Sequence, residues 1–388
     1  MHFFTTVFLV MGPLCAVLAY ATLVKPLGLT SGWRRGLFYT MLAFSLKFTW
    51  YALFGRNVFL PELPACVIHT MSVLYDFILI LAGIGFLHSA ISGTTRLFAR
   101  LRTGKAARER CAEPLPERAC SRRRFVSGAL ALGAAGVAAK GVYDGVRLPS
   151  VVNVSIAFQD LPPAFDGYSI VQLSDIHASA AARADRTAGI VRMINALNPD
   201  LVAITGDFVD GPVHLRAGDI IPLADLRAAD GVVGCTGNHE YYSGYDSWRT
   251  VFRDCGIQML ENDVRTIRRG ADAISVIGQN DPMSFDTDIR AACAGATSFR
   301  ILLAHRPTCL EEHAGLGIRL QLSGHTHGGA IIGLDRLVAH ANEGHVRGLY
   351  REYGMVLYVN AGTGQWAGFP SRLGVPPEIT RITLRRRG

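Results

Sequence analysis

The sequence has no closely spaced pair of cysteines, although it contains eight cysteines in total. None of those in the second half of the chain forms a Cys-x-x-Cys motif; they are Cys235, Cys255, Cys293 and Cys309. Structural zinc sites are usually built from such pairs, so the sequence argues against a structural zinc site there. The spacing also fixes no disulfide pairing.

The second half of the chain also lacks an excess of positive charge. Residues 96–124 contain ten basic and three acidic residues, a net charge of +7, and residues 1–95 contribute a further +3. Because the whole chain of 388 residues carries +8, residues 125–388 are left with a net charge of −2. Nucleic-acid-binding proteins cluster Lys and Arg against phosphates. The charge distribution therefore argues against a nucleic-acid partner.

Long hydrophobic runs, by contrast, fill the first ninety residues. Three runs contain almost only apolar side chains: Phe3 to Val24, Leu37 to Phe54 and Cys66 to Leu87. Each can cross a hydrocarbon core, which needs about 17–25 helical residues. We therefore predict a membrane domain with three transmembrane helices at residues 1–95, in contact with membrane lipids. Lys47 and Asp76 lie within the runs, either as an ion pair between helices or as tolerated single charges.

The loop charges predict an orientation for these helices, because short loops rich in Lys and Arg stay on the cytoplasmic side. Residues 96–124 are accordingly predicted to be a basic cytoplasmic linker. The 25–36 loop, with three basic residues, would also lie inside. The 55–65 loop, with Arg56 and Glu62, would lie outside.

Residues 125–146 allow more than one interpretation. The segment Ser121-Arg-Arg-Arg-Phe125 precedes an Ala/Gly-rich run, Val126 to Ala139, and resembles a twin-arginine signal, although such signals usually stand at the N-terminus. The run also fits a signal-anchor or a fourth transmembrane helix. Any of these would place the rest of the chain outside the cytoplasm, whereas a run that does not cross would leave it inside.

Residues 147–388 alternate short β-rich runs with amphipathic stretches, which indicates a layered α/β domain. Helices are predicted at 186–197, around 220–228 and at 248–255. Strands are predicted at 168–174, 201–205, 232–236, 273–278, 299–304, 320–322, 355–359 and 379–384.

Potential metal ligands follow five of the predicted strands. They are Asp175 and His177, Asp207, Asn238, His305, and His325 with His327. In open α/β sheets, ligands gather beyond the carboxyl ends of the strands, so we expect these side chains to meet. Residues two apart on an extended backbone project to the same side, which would bring Asp175 and His177 into one site. Gly206, Gly237 and Gly324 would allow sharp turns with close backbone approach.

Imidazole and carboxylate groups suit borderline divalent ions such as Mn, Fe, Co or Zn. Two such ions about 3.5–4 Å apart can share a hydroxide, polarise a phosphoryl oxygen and stabilise the attacking and leaving oxygens. Asp207 is the natural bridge between them. Each motif alone is a common turn or loop, but their joint occurrence in order points to a metal site.

The order of the motifs resembles the signature of the calcineurin-like metallophosphoesterases. The matching blocks are Asp175-Ile-His177, Gly206-Asp-Phe-Val-Asp210, Gly237-Asn-His-Glu240, His305 and Gly324-His-Thr-His327. The chain also resembles the bacterial branch of this family that carries N-terminal transmembrane helices and a twin-arginine-like segment. The resemblance implies a four-layer α/β/β/α sandwich at residues 147–388. With the predicted spans, it indicates an integral inner (cytoplasmic) membrane protein. The loop charges and one further crossing would place its catalytic domain outside the cytoplasm.

The resemblance also implies roles for individual residues. One divalent transition-metal ion (Mn, Fe or Zn) would take Asp175, His177, Asp207 and His327, and a second would take Asp207, Asn238, His305 and His325. His239 would protonate the leaving oxygen, and Asp210 would orient a ligand or a water. Trp366 and Arg372 lie in a glycine-rich loop that either closes the fold or forms a substrate-binding wall.

The sequence therefore predicts a membrane-anchored metal-dependent phosphoesterase that hydrolyses phosphodiesters or phosphomonoesters with a hydroxide activated by two metals. A lipid-linked phosphate ester is one option for the substrate. An alternative is a hydrolase of lipid A precursors similar to UDP-2,3-diacylglucosamine pyrophosphatase, which would need a cytoplasmic site and an apolar groove. A non-catalytic membrane sensor or scaffold is a third interpretation. It fits poorly because no expected metal position is substituted.

The predicted orientation can be measured with reporter fusions. Alkaline phosphatase fused after Gly388 should be active and a fluorescent cytoplasmic reporter at the same position dark, because the basic linker stays inside and one further crossing follows. The reverse pattern would mean that Val126 to Ala139 does not cross, and would favour the nucleotide-lipid alternative.

Overall fold

The computed structural model describes residues 2–103 and 117–387. Contacts divide the chain into two compact units, Met1–Val142 and Tyr143–Gly388. The first unit is helical. Its helices are α1 (His2–Ala19), α2 (Ser31–Ser45), α3 (Lys47–Phe54), α4 (Ala65–Thr103) and α5 (Glu117–Val146), the last of which ends in the second unit.

The predicted apolar N-terminal helices are confirmed. Among the described residues, three stretches are long and apolar enough to cross a membrane: Thr6–Leu27, Ala65–Thr95 and Arg124–Val146. The pair α2 and α3 would add a fourth if it forms one span, but it is bent by 57° at its break. The second predicted span is therefore a broken helix, not the continuous one expected.

The predicted basic linker is partly helical. Helix α4 continues to Thr103, and α5 begins at Glu117. Both ends of the 96–124 segment therefore belong to helices, while its residues 104–116 lie outside the described residues.

A charged side chain lies inside the helical unit where α2 and α3 meet. Lys47 is completely buried. Its ammonium lies 5.2, 5.4 and 5.3 Å from the ring centres of Phe48, Tyr51 and Tyr75. The buried Asp76 attracts it electrostatically. Opposite charge and aromatic faces together compensate the loss of water around this ammonium.

The second unit contains two six-stranded sheets. The first sheet consists of β1 (Ser150–Phe158), β2 (Ser169–Leu173), β3 (Leu201–Thr205), β4 (Val232–Cys235), β5 (Ile257–Met259) and β12 (Glu378–Arg386). Their order is β1-β12-β2-β3-β4-β5. All neighbours are parallel except β12 and β2, which are antiparallel.

The second sheet has a parallel centre and antiparallel edges. It consists of β6 (Asp263–Arg269), β7 (Asp272–Gly278), β8 (Arg300–Leu303), β9 (Ile318–Ser323), β10 (Gly348–Glu352) and β11 (Met355–Val359). Their order is β10-β11-β9-β8-β7-β6. The strands β7, β8, β9 and β11 run parallel, whereas β6 and β10 are antiparallel to their neighbours.

The helices of this unit are α6 (Ala184–Asn195), α7 (Val213–Ile220), α8 (Asn238–Ser243), α9 (Tyr245–Asp254), α10 (Arg290–Ala294), α11 (Leu310–Gly315) and α12 (Asp335–Ala341). Several of them pack on the outer faces of the two sheets. Side chains along a strand alternate between the two faces. In β2, Ile170 packs in the core between the sheets, whereas Val171 packs with Ile190 of α6 and Trp248 of α9. On the second sheet, α10 and α11 cover the outer face. The predicted four-layer α/β/β/α sandwich is confirmed.

The eight predicted strands all occur, with boundaries within two residues of those expected. The helix predicted around 220–228 is wrong. Helix α7 ends at Ile220, and residues Ile221–Asp225 form a 3-10 turn with Pro222 in its first positions. Proline lacks a backbone N–H and crowds the preceding turn, so an α-helix does not continue through this position.

Candidate metal centre

The predicted ligands lie in the loops that directly follow five parallel strands. Asp175 and His177 follow β2, Asp207 follows β3, and Asn238 begins α8 immediately after β4. On the second sheet, His305 follows β8, and the pair His325 and His327 follows β9. The carboxyl ends of both sheets therefore contribute to one site, as expected for an α/β fold.

The backbone around these ligands is not extended. Five of the predicted ligands have positive φ angles: Asp175 (53°), His177 (48°), Asp207 (54°), His325 (70°) and His327 (48°). Residues other than glycine rarely adopt this region, and such strained positions cluster at functional sites. The assumption of an extended backbone was therefore wrong. The side chains converge because the chain turns sharply as it leaves each strand.

Glycine allows the loops to pack closely. Gly206 has a φ of 82°, and a Cβ there would lie 2.6 Å from the backbone nitrogen of Gly237. A Cβ on Gly237 would in turn overlap the Asp207 side chain. The loops after β3 and β4 can therefore approach each other only with glycine at both positions.

The predicted ligands lie in two groups, with the carboxylate of Asp207 between them. In the first group, Nε2 of His327 lies 3.4 Å from Oδ1 of Asp175 and 3.0 Å from Nε2 of His177. In the second, Nε2 of His305 lies 3.2 Å from Nδ1 of His325. Oδ2 of Asp207 lies 3.7 Å from His177 Nε2 and 3.2 Å from His305 Nε2. Asp207 thus stands between the groups, as a bridging ligand must.

Hydrogen bonds behind the imidazoles direct their free nitrogens into the site. His305 Nδ1 donates to the carbonyl oxygen of Thr205 at 2.7 Å. His177 Nδ1 donates to Oδ1 of Asp210 at 2.9 Å, and His239 Nδ1 lies 2.6 Å from the same oxygen. Such partners fix the tautomer and orient the ring of a metal-binding histidine. Nε2 of His177 and Nε2 of His305 therefore face the Asp207 carboxylate.

Asn238 supplies an oxygen that has no other partner. Its side chain is buried, and Oδ1 accepts no hydrogen bond from any residue in the described part of the chain. A buried polar atom of this kind is costly unless something binds it. Together with the convergent carboxylates and imidazoles, this orphaned oxygen shows that the residues fit a metal ion.

The charges of the site also fit cation binding. Burial raises the pKa of Asp207, but the charges of His305 and His239 hold it well below its usual range. Burial lowers the pKa of His305, whereas Asp207 and Asp175 raise it, to about 10 overall. Burial, aided by neighbouring histidines, lowers the pKa values of His325 and His327. The carboxylates thus hold a proton on His305 that a metal ion would displace.

His239 is partly exposed, at 15%, and lies against the buried carboxylate of Asp210. Burial lowers its pKa, but Asp207 and Asp210 raise it to about 9. Beside these carboxylates the imidazolium therefore carries a proton at neutral pH.

Residues 168–329 match the calcineurin-like phosphoesterase family model. A Bacillus subtilis protein named uncharacterized metallophosphoesterase YkuE is 31% identical over 283 residues, which cover 68% of this chain and 98% of the relative. This chain belongs to the calcineurin-like metallophosphoesterase family.

Other relatives of this metallophosphoesterase include membrane proteins. A Danio rerio protein named transmembrane protein with metallophosphoesterase domain is 34% identical over 267 residues, 64% of this chain and 60% of the relative. The match therefore spans somewhat over half the length of that relative. Among solved structures, Haemophilus influenzae NAD nucleotidase aligns with a TM-score of 0.36 and 16% identity, covering 52% of this chain and 46% of that one.

Glu240, the last residue of the Gly237-Asn-His-Glu240 motif, supports the site, although the sequence analysis predicted no role for it. Glu240 is completely buried and accepts hydrogen bonds from the backbone N–H groups of Asp207 (2.8 Å), Phe208 (2.7 Å) and Gly237 (2.7 Å). It therefore ties the loop after β3 to the loop after β4. The signal was present in the sequence, because a Glu three residues after a helix N-cap is the spacing of a capping box.

The two residues predicted to contact substrate lie in different surroundings. Trp366 is partly exposed. Arg372 is completely buried and donates to the carbonyl oxygens of Ala361 (2.6 Å) and Gly364 (2.7 Å) and to Nδ1 of His327 (3.1 Å). Arg372 thus supports its own loop and His327, and a substrate would reach it only if this loop moved.

Replacing Glu240 by Gln should weaken metal binding by about 10–100-fold, the usual cost of losing a group that orients ligands. The amide cannot accept all three backbone N–H groups, so the Asp207 and Asn238 loops should separate. Chelator-competition titration of the full chain in detergent would measure the affinity. Glu261→Gln, which removes a partly exposed carboxylate bound to Arg249, is the matched control and should bind normally. Equal affinity in both variants would show that Glu240 does not hold the loops.

Proposed function

We propose that this protein is a membrane-anchored, metal-dependent phosphoesterase that hydrolyses phosphodiesters or phosphomonoesters. The observation that carries this proposal is the position of Asp207 Oδ2, 3.7 Å from His177 Nε2 and 3.2 Å from His305 Nε2. A carboxylate oxygen between two sets of metal-ligating groups is the arrangement that a binuclear centre requires. Family membership supports the same reaction class.

In this proposal each of two divalent ions, Mn, Fe or Zn, has four protein ligands. One ion is held by Asp175, His177, Asp207 and His327, and the other by Asp207, Asn238, His305 and His325. Such a pair of ions lowers the pKa of water and neutralises charge on a phosphoryl group. Asp207 would be the residue common to both binding positions.

The protein's own acid–base group is His239. Its Nδ1 is tied to Asp210, so Nε2 is the atom that can deliver a proton to the leaving oxygen. The same Asp210 oxygen also holds His177. Asp210 therefore orients both the acid and a ligand, which couples proton delivery to the geometry of the first metal position.

The apolar helices support a membrane anchor. The bacterial branch that the sequence resembles favours the inner (cytoplasmic) membrane. The charges of the loops favour a catalytic unit outside the cytoplasm. Membrane lipids are the immediate surroundings, and a lipid-linked phosphate ester is the substrate class that this anchor favours. A hydrolase similar to UDP-2,3-diacylglucosamine pyrophosphatase is the alternative if reporters place the unit inside. The set of ligands is complete, which speaks against a non-catalytic sensor or scaffold.

The full chain should bind close to two metal equivalents, and Asp207→Asn should reduce this number more than Asp210→Asn. Asp207 lies between the two groups of predicted ligands, whereas the Asp210 carboxylate bonds to His177 and His239 behind them. Loss of an orienting partner typically costs about 10–100-fold in affinity or activity. Elemental analysis of the purified chain in detergent, together with hydrolysis of bis(p-nitrophenyl) phosphate, would measure both effects. Equal losses would contradict the assigned roles, and a wild-type chain without metal after reconstitution would refute the proposal.

His239→Ala should retain its metal, lose little activity on bis(p-nitrophenyl) phosphate and lose much on an alkyl phosphodiester. A general acid contributes about 10²–10⁴-fold, but only where the leaving oxygen is too basic to depart unaided. His305→Ala is the comparison: it should lose metal and be impaired on both substrates. If His239→Ala is depleted of metal, or equally impaired on both esters, His239 is not the acid.

A further inference from the structure

Arg306 lies beside the metal centre but belongs to none of the family motifs. It directly follows His305, and its side chain is 31% exposed. Arg306 therefore lies in the same loop as one of the proposed metal ligands.

A buried carboxylate fixes the position of this guanidinium. Arg306 Nε lies 2.8 Å from Oδ2 of Asp281, and Nη2 lies 3.1 Å from Oδ1. Asp281 is 1% exposed, and its backbone N–H donates to Oγ1 of Thr236 at 3.0 Å. Thr236 immediately precedes the loop that carries Asn238 and His239. Arg306 is thus held rigidly against the loop that bears the proposed acid.

The two-point contact with Asp281, the Arg306 fork, leaves one edge of the Arg306 guanidinium available. A guanidinium has five N–H donors, and the contact with Asp281 uses one on Nε and one on Nη2. Nη1 donates to no atom in residues 2–103 or 117–387. The remaining planar edge, formed by Nη1 and Nη2, matches two oxygens of a phosphate. An arginine needed only to neutralise Asp281 could be buried with it, whereas this one is open to solvent.

We propose that Arg306 forms a subsite that binds the second phosphoryl group of a diphosphate ester. This inference rests on the proposed function, because the scissile phosphoryl group is placed at the metal centre. The second phosphoryl group, on the side of the loop that bears the proposed acid, then meets a positioned cation. Both nucleotide-linked and lipid-linked diphosphate esters have this chemistry.

The subsite can be tested by binding without turnover. The metal-loaded full chain in detergent is titrated by calorimetry with methylenediphosphonate, which has two phosphonate groups, and with methylphosphonate, which has one. Arg306→Gln should lower the affinity for methylenediphosphonate by about tenfold or more, the loss expected for charge-assisted hydrogen bonds. The affinity for methylphosphonate should fall by no more than about twofold, because the metal centre holds a single phosphonate.

Two further variants separate recognition from stability. Arg306→Gln leaves the buried Asp281 carboxylate without its partner, which can destabilise the fold. The double variant Arg306→Gln/Asp281→Asn removes both charges and should show the same selective loss. Arg290→Gln breaks a comparable fork with Asp288 on an exposed surface and should bind both phosphonates like the wild type. Equal weakening of both phosphonates, or no weakening of either, would refute the subsite.

Hydrolysis then distinguishes the two sources of a diphosphate. We expect the ratio of kcat/KM for a diphosphate ester to that for bis(p-nitrophenyl) phosphate to fall about tenfold in Arg306→Gln. A fall with UDP-glucose identifies a nucleotide source, and a fall with farnesyl diphosphate in micelles identifies a lipid source. A wild-type chain inactive on every ester would refute the phosphoesterase proposal, and the phosphonate titration would still decide the subsite. An unchanged ratio for both diphosphates would overturn the proposed subsite.

Discussion

The carboxylate of Asp207 is held between imidazole nitrogens from both sheets, and much of the surrounding geometry depends on its position. Its two side-chain oxygens have different partners: Oδ2 faces His177 and His305, while Oδ1 accepts the backbone N–H of His239 at 2.9 Å. Its backbone N–H donates to Glu240, and its carbonyl accepts from the N–H of His177 at 3.1 Å. A shift of this one residue would therefore move groups in four separate loops. Buried negative charge of this kind is stable only when cations or protons surround it.

The two sheets are joined by polar contacts as well as by their apolar core. Below the site, Gln172 of β2 donates to the carbonyl of Ser323 in β9 at 2.9 Å, and His305 donates to Thr205 at the end of β3. These bonds cross between the sheets where the apolar core ends. They set the distance between the carboxyl ends of the two sheets, and so the distance between the two groups of ligands. The position of the centre is thus a property of the sandwich and does not depend on a flexible loop.

Much of the fold and most of the site composition were predictable from the sequence. The central strands are short, mostly apolar runs that are followed by polar motif residues, so strands such as Leu201–Thr205 were predicted with their boundaries. The ligand types followed from the same motifs. The four strands that were missed, β1, β5, β6 and β10, are the edge strands of the two sheets. Most of their side chains are exposed or only partly buried, so their sequences show a weaker apolar pattern than the central strands.

Other features depend on three-dimensional packing and could not be predicted. The positive φ angles at Asp175 and Asp207 arise because neighbouring loops force sharp turns on non-glycine residues. The burial of Arg372 depends on carbonyl groups within its own loop, which no motif specifies. The Arg306 fork required the loop after β7 to reach the loop after β8, and that contact leaves no local pattern.

The place of β12 in the first sheet has a consequence for how the protein is made. This strand lies between β1 and β2, and Ile382 pairs with Val154 on one side and with Ile170 on the other. The strand that joins β1 to the rest of the sheet is therefore the one translated after all the others. Contacts between residues so distant in sequence are slow to form. During synthesis the sheet remains incomplete, with exposed edges, until residues 378–386 have emerged from the ribosome, which gives chaperones time to engage an unfinished chain.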